Sequence, residues 1–359
     1  MKRVARAMAS IAATAVGMTF MAVAPVEAQP EEVVLTCGTV ITEDTVLGAD
    51  IGPCGDIVSE PGHTPGGHGL VIGADGVTLD LNGHTIFGLG SDVVLHQAAG
   101  VKVDEHSDVT VFGGTVRGFF HGVWVQNGAR NTVRDMRSID NTTGNGIVLQ
   151  NVRDSRVFRN AVVNSGGFGG ISVFDGRATD QLDDLPSANN SILSNLVDQS
   201  DNRANTAGIS LENGPGHRVV GNTVTRSSGD GIILRAGSNP LPGSGRILPP
   251  ATDAVVSGNV VTRNGTNATG VTAVLAGINL QRNLITGLGA DRNQITGNRV
   301  QSNADHGILV ASRNNRIVAN TARGNAVNDL HDANVAPPCD NNVWRSNRFA
   351  TANQPCVGG

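Results

Sequence analysis

A glycine followed by aliphatic residues at alternate positions recurs along most of this 359-residue chain. The copies are GVKV (100–103), GVWV (122–125), GIVL (146–149), GISV (170–173), GISL (208–211), GIIL (231–234), GINL (277–280) and GILV (307–310). Their glycines are 22, 24, 24, 38, 23, 46 and 30 positions apart, with GLVI (69–72) and DLHD (329–332) as weaker copies at the two ends. A second row is locked to the first, a short aliphatic strand turning at an asparagine: Asn160, Asn195, Asn222, Asn259, Asn298, Asn320 and Asn347. Every interval between glycine rows from 146 to 307 holds one such asparagine, so the 46-residue interval is one repeat carrying insertions.

A unit of 22–24 residues made of short alternating strands cannot bury its own apolar face, whereas stacked units bury it jointly. At about 3.3 Å of rise per residue the unit has room for three strands and their turns, and equivalent residues stack about 4.8 Å apart. Glycine is expected at corners that need positive φ, and asparagine at corners in the left-handed region. Stacked asparagines can also pass hydrogen bonds from coil to coil. A leucine-rich repeat solenoid is the competing architecture, but no segment shows its 3.6-residue period.

Composition agrees with a narrow interior. There are 47 Gly and 34 Asn, aromatics are 3%, and charged residues are 16% with only two Lys. Long amphipathic helices draw on Lys, Glu and Arg for their wet faces, so helical bundles are excluded. The chain has no Tyr, which closes mechanisms that use tyrosine as acid or base.

Residues 1–28 read as a secretory signal peptide: Lys2, Arg3 and Arg6 precede the apolar run from Ile11 to Val23, and Val26-Glu27-Ala28 forms a cleavage site before Gln29. A retained anchor is the other reading, for which the run is short. No other stretch is apolar enough to cross a bilayer. Removal of the signal leaves 23 basic and 30 acidic side chains, a net charge of −7, which gives no support to nucleic-acid binding. Cys37 and Cys54, like Cys339 and Cys356, are 17 positions apart, which suggests one local disulfide near each end. Three pairings are formally open, and a zinc site is the competing use. The segment 33–58 reads as short strands crossing an open first coil.

The Gly-Ile-x-Leu rows with their asparagine row, preceded by VTLDLNGHTIFG (77–88), resemble the right-handed parallel β-helix repeat proteins of the pectate-lyase-like superfamily over residues 69–349. The resemblance implies an all-β, right-handed parallel β-helix of about ten coils, capped at both ends. The boundaries expected are a signal peptide at 1–28, an N-terminal cap at 29–68, repeats at 69–335 and a closing coil and cap at 336–359. This fold hosts lyases, hydrolases, epimerases, tailspikes, adhesins and periplasmic accessory proteins. The leading expectation is a secreted, periplasmic or cell-surface protein that binds or processes an extracellular polysaccharide or cell-surface glycan. An adhesin-like structural protein is the alternative, and a periplasmic factor for metalloenzyme maturation is a third.

In each Gly-Ile-x-Leu copy the second and fourth residues point inward. The third residues, Trp124, Val148, Ser172, Ser210, Ile233, Asn279 and Leu309, are therefore expected to face solvent. So are the residues after the motif: Gln126, Gln150, Phe174, Glu212, Arg235, Gln281 and Ala311. Insertions at 175–189 and 236–252 follow this edge and would wall a groove. Candidate glycan contacts are Trp124, Gln126, Gln150, Phe174, Asn279 and Gln281. Glu212 and Arg235 are candidate catalytic groups, with a plain surface ion pair as the ordinary reading. The resemblance to pectate lyases would make Arg235 a base, although their arginine motif is not reproduced. Asp175, Asp180, Asp183 and Asp184 could gather a Ca²⁺ ion or form a solvated acidic loop. No other cofactor is expected. Asp230 and His306 precede the repeat glycine and read as turn variants, because Asn, Gly and Ala fill that slot in other coils.

Overall fold

A computed structural model describes residues 32–55, 67–90, 98–141, 143–165, 169–175, 187–198, 207–237, 247–266 and 274–358. The expected signal peptide lies outside the described residues. The rest forms three parallel sheets of 12, 11 and 10 strands. One coil runs through Asn145–Gln150, Arg156–Phe158 and Ala161–Val163, one strand in each sheet, before the next begins at Gly169–Phe174. The glycine rows make the 11-stranded sheet in register, with Ile147 opposite Ile171 and Leu149 opposite Val173. Across the 46-residue interval Ile232 pairs directly with Ile278, so it is a single coil with insertions. Both weaker copies belong to the same sheet, Leu70 opposite Val101 and Leu330 opposite Ile308. The right-handed parallel β-helix thus has eleven coils where the repeats suggested about ten.

Glu32–Val33 adds to the outer edge of the 12-stranded sheet beside Val46 and Leu47, and Leu35 packs against the core. Thr39–Ile41, Thr45–Leu47 and Ile51–Cys54 pair in parallel with the coil above and are themselves the first turn. Cys37–Cys54 and Cys339–Cys356 are both disulfides. At the other end Asp332 occupies an inward aliphatic position of the row. Its carboxylate accepts hydrogen bonds from Trp344 Nε1 (3.0 Å), Asn342 Nδ2 (3.0 Å) and Asn334 Nδ2 (2.8 Å), so the core ends in satisfied polar groups.

The corners are tied by side-chain amides. Asn160 Nδ2 donates to Asn195 Oδ1 at 3.0 Å, and the chain continues through Asn222, Asn259, Asn298, Asn320 and Asn347 at 2.9–3.0 Å. Each amide also serves the backbone: Asn222 Oδ1 accepts from Asn195 N (2.9 Å) while its Nδ2 donates to Ile192 O (2.9 Å). Two further ladders stand at the other corners, through Asn264, Asn303, Asn325 and Asp329, and through Asn293, Asn315 and Asn342.

The expected conformational roles are redistributed. The left-handed residue is the one before each ladder asparagine, such as Arg159 (φ 55°), Ser194 (φ 52°) and Ala319 (φ 56°). The repeat glycines Gly146, Gly208, Gly231 and Gly277 have no positive φ; a Cβ there would overlap Cγ1 of Val162, Val224, Val261 and Val300 on the 10-stranded sheet. They are glycine because two sheets close on each other at that point.

Asn222→Ala removes two ladder bonds at once and leaves the buried backbone N–H of Asn195 without its acceptor. Loss of about 1–3 kcal/mol per orphaned group is expected, read as a lower urea midpoint with unchanged slope. An unshifted midpoint would mean that the ladder does not hold the coils together.

Candidate functional site

The outer face of the 11-stranded sheet differs from the expected one in what is exposed. Trp124, Val148, Ser172, Ser210, Ile233, Asn279 and Leu309 are all buried, none more than 7% exposed. The reason lies in the residue before the repeat glycine, which folds onto this same face. The His121 ring packs 5.1 Å from Trp124, Asn145 Oδ1 accepts from Ser172 Oγ (2.8 Å), and Asp230 Oδ1 accepts from Asn279 Nδ2 (3.2 Å). Trp124 is further enclosed by Ala99, Val148 and Phe174, with Lys102 Nζ 4.7 Å from its ring centroid and Nε1 donating to Gln150 Oε1 (3.1 Å). Trp124 and Asn279 are therefore built into the wall of the sheet.

What remains accessible is the next row. Gln126, Gln150, Phe174, Glu212, Arg235 and Gln281 are half-buried and follow one another on successive coils. Glu212 and Arg235 meet at 3.5 Å, each side chain 34% exposed, and Ser210 Oγ donates to the same Glu212 oxygen at 3.3 Å. A planar guanidinium in this place presents forked N–H donors, which suit holding an anion such as a carboxylate.

Of the proposed calcium ligands only Asp175 lies among the described residues; Asp180, Asp183 and Asp184 lie outside them. Asp175 is buried and clasps the base of the insertion, its Oδ1 accepting from Ser187 N (2.7 Å) and its own N donating to Asn213 Oδ1 (3.1 Å). Among the described residues no three His, Cys, Asp or Glu side chains gather as a metal-ligand set.

A second group on this face was not anticipated. Asp230 is fully enclosed, and burial pushes its carboxyl up to about 6 despite hydrogen bonds from Ala276 N (2.7 Å) and Asn279. Farther along, the rings of His306 and His331 lie 4.3 Å apart on consecutive coils. His306 Nε2 is 3.6 Å from Asp305 Oδ1, and Asp305 Oδ2 accepts from Leu275 N (3.0 Å). Burial holds both histidines below the ordinary imidazole value. The signal was present in the sequence as Asp or His in a slot otherwise filled by small residues. By composition alone the slot reads as a turn, whereas it belongs to the sheet's outer face. His68 and His121 occupy the same column, and each uses Nδ1 to accept a backbone N–H at 3.0 Å, from Ala99 and Asn145 respectively.

The folded-state pKa of Asp230 lies above its ordinary value, so the fold favours the protonated carboxyl, and stability is lost as pH rises from 3.8 to about 6. Asp230→Asn keeps both acceptor contacts and does not titrate. Relative to wild type it should gain on the order of 3 kcal/mol across that window, measured by urea unfolding at pH 4 and pH 7. Parallel pH profiles for the two proteins would refute the buried-carboxyl assignment.

Two family models match the chain. That described as "Right handed beta helix region" covers residues 68–244, and that described as "Periplasmic copper-binding protein (NosD)" covers residues 185–358. Among solved structures, the Dettilon tailspike protein superposes with a TM-score of 0.53 at 16% identity, over 77% of this chain and 55% of that one. The chain thus spans little more than half of the tailspike's length. The DFA-IIIase from Arthrobacter chlorophenolicus A6, solved without its lid, gives a TM-score of 0.55 at 9% identity over 88% of this chain and 85% of that one. At such identities the likeness is one of fold. No curated protein sequence matches the chain.

Proposed function

For a chain that is a right-handed parallel β-helix repeat protein, we propose that the half-buried row after the repeat motif binds an extracellular polysaccharide. The observation that carries this reading is the row itself. Gln126, Gln150, Phe174, Glu212, Arg235 and Gln281 present donors, acceptors and one aromatic ring beside a ladder that is closed to solvent. Successive coils repeat at about 4.8 Å, of the same order as one sugar unit in an extended chain. Glutamine amides both donate and accept, as glycan hydroxyls require, and Phe174 offers an apolar surface to a sugar ring. The Glu212–Arg235 pair would let a uronate displace the carboxylate from the guanidinium. Two disulfides suit an oxidising compartment, where such polymers are found.

The test is calorimetric titration with alginate, pectate, hyaluronan and a neutral glucan, with reducing ends and 235 nm absorbance followed in parallel. Saturable binding to at least one polymer is expected, weakened up to about tenfold by Phe174→Ala. Formation of unsaturated products would extend binding to processing. Failure to bind any of the four would overturn the reading and favour the structural alternative.

A second reading is favoured by the NosD match, whose span 185–358 contains the paired rings of His306 and His331. On this reading the chain is a periplasmic accessory protein that holds copper.

A further inference from the structure

We propose that the outer face of the 12-stranded sheet is a second binding surface, which takes a linear acidic polysaccharide lying along the helix axis. It is separate from the row that follows the repeat motif and does not depend on it. On this sheet the first and third residues of each three-residue strand point outward. From Thr110–Phe112 to Val343–Arg345 those positions carry Arg134, Arg156, Arg218, Arg316 and Arg345 and no carboxylate. The acidic residues of the sheet's strands, Glu32 and Asp80, belong to its first coils. The face is thus of one sign on a chain whose formal net charge is −5.

Elsewhere this protein pairs its cations across coils. At the corners Arg130 meets Asp108, Arg159 meets Asp135 and Arg292 meets Asp253, each through two hydrogen bonds of 2.6–2.9 Å to the aspartate of an earlier coil. On the 11-stranded sheet Lys102 meets Asp104 at 3.0 Å and Arg235 meets Glu212 at 3.5 Å. On the 12-stranded sheet Arg134 is held in the same way, 3.8 Å from the Phe112 ring centroid and 2.8 Å from Asp135. Arg156, Arg218, Arg316 and Arg345 are exposed and, among the described residues, form no ion pair. The neighbouring positions that would hold a partner are filled by neutral residues. Ser191 lies between Arg156 and Arg218 on the intervening coil, Val255 beyond Arg218, and Gln294 and Val343 on either side of Arg316.

Charge complementarity and spacing select the occupant. Coils repeat at about 4.8 Å, so Arg156 and Arg218 stand about 10 Å apart, Arg316 about 14 Å farther, and the column from Arg156 to Arg345 spans about 29 Å. An extended polymer with a carboxylate on each sugar presents charge at intervals of this order, and a guanidinium fork holds a carboxylate through two N–H donors at once. Duplex nucleic acid carries one charge per about 1.7 Å, far denser than these four cations match. Single strands are held by stacking on open rings, and Phe158, the one ring at the outward positions from Arg156 to Arg345, lies under the Arg159 guanidinium at 4.9 Å.

The experiment is calorimetric titration of the protein with galacturonate disaccharide and with longer oligogalacturonates, with dextran and duplex DNA as comparison polymers, at low and at physiological salt. Binding is expected to strengthen with length up to about six units and to weaken as salt is raised. Arg156→Gln, Arg218→Gln, Arg316→Gln and Arg345→Gln should each weaken it about two- to fivefold, and the four together more than about tenfold. Ser191→Asp leaves every arginine in place but sets a carboxylate beside Arg156 and Arg218, and should weaken binding about as much as losing both. All these positions face solvent, and circular dichroism checks that the variants are folded. The arginine losses should be the same in a Phe174→Ala background, because separate faces add. Arginine variants that bind oligogalacturonate like the wild type would overturn this surface, whatever Phe174→Ala does to the other row. Dextran binding equally sensitive to the arginines would overturn the charge argument, and tighter binding of DNA through the same arginines would overturn the choice of polymer.

Discussion

Every coil of this protein must turn three corners, and each corner leaves backbone donors and acceptors facing an interior lined by aliphatic side chains. The side-chain amide of asparagine answers that demand with one short group. Its oxygen takes a backbone N–H and the amide of the coil before, while its nitrogen reaches a backbone carbonyl and the oxygen of the coil after. Seven such residues in line, from Asn160 to Asn347, convert a stack of marginal units into a continuous column. Once the corners are fixed the strands between them have no freedom of register, and long excursions such as the one between Ile232 and Ile278 can leave and return without disturbing the next coil.

The inward rows then need little variety. Val101, Val123, Ile147, Ile171, Ile209, Ile232, Ile278 and Ile308 are all fully buried, a single column of branched aliphatics. The repeat glycines bring the 11-stranded and 10-stranded sheets close together, so the interior is filled chiefly by branched aliphatics, with Phe119 and Trp344 among its few buried rings.

Much of this was legible in the chain. The Asn160–Asn347 row and the glycine rows are periodic in residue identity, and periodicity translates directly into stacking. The other two ladders were missed because they mix residue types: Asn131, Ser155, Asn190 and His217 play one role at one corner. Alternation tells which way Trp124 and Asn279 point, but it cannot tell what will cover them, and here the residues before the glycines do so. The adjacency of Glu212 and Arg235 followed from coil register alone. Asp230, His306 and His331 did not, because their meaning depends on burial and on neighbours 25 or more positions away in sequence. One outer face thus presents two groups of side chains along its axis, a half-buried polar row ending at Gln281 and a pair of packed imidazoles farther toward the C-terminal end.

The dependence of the whole stack on its amide columns is most directly tested by native-state hydrogen exchange. The backbone N–H groups of Asn195, Asn222, Asn259 and Asn298 each donate to the next asparagine's Oδ1 at 2.8–3.0 Å. If these corners hold the coils, their amides exchange as slowly as those at strand centres such as Ile209 and Val224, through the same cooperative opening. Corner amides that exchange far faster than the flanking strands would show that the turns open on their own and that the ladders merely decorate a stack held by its aliphatic core.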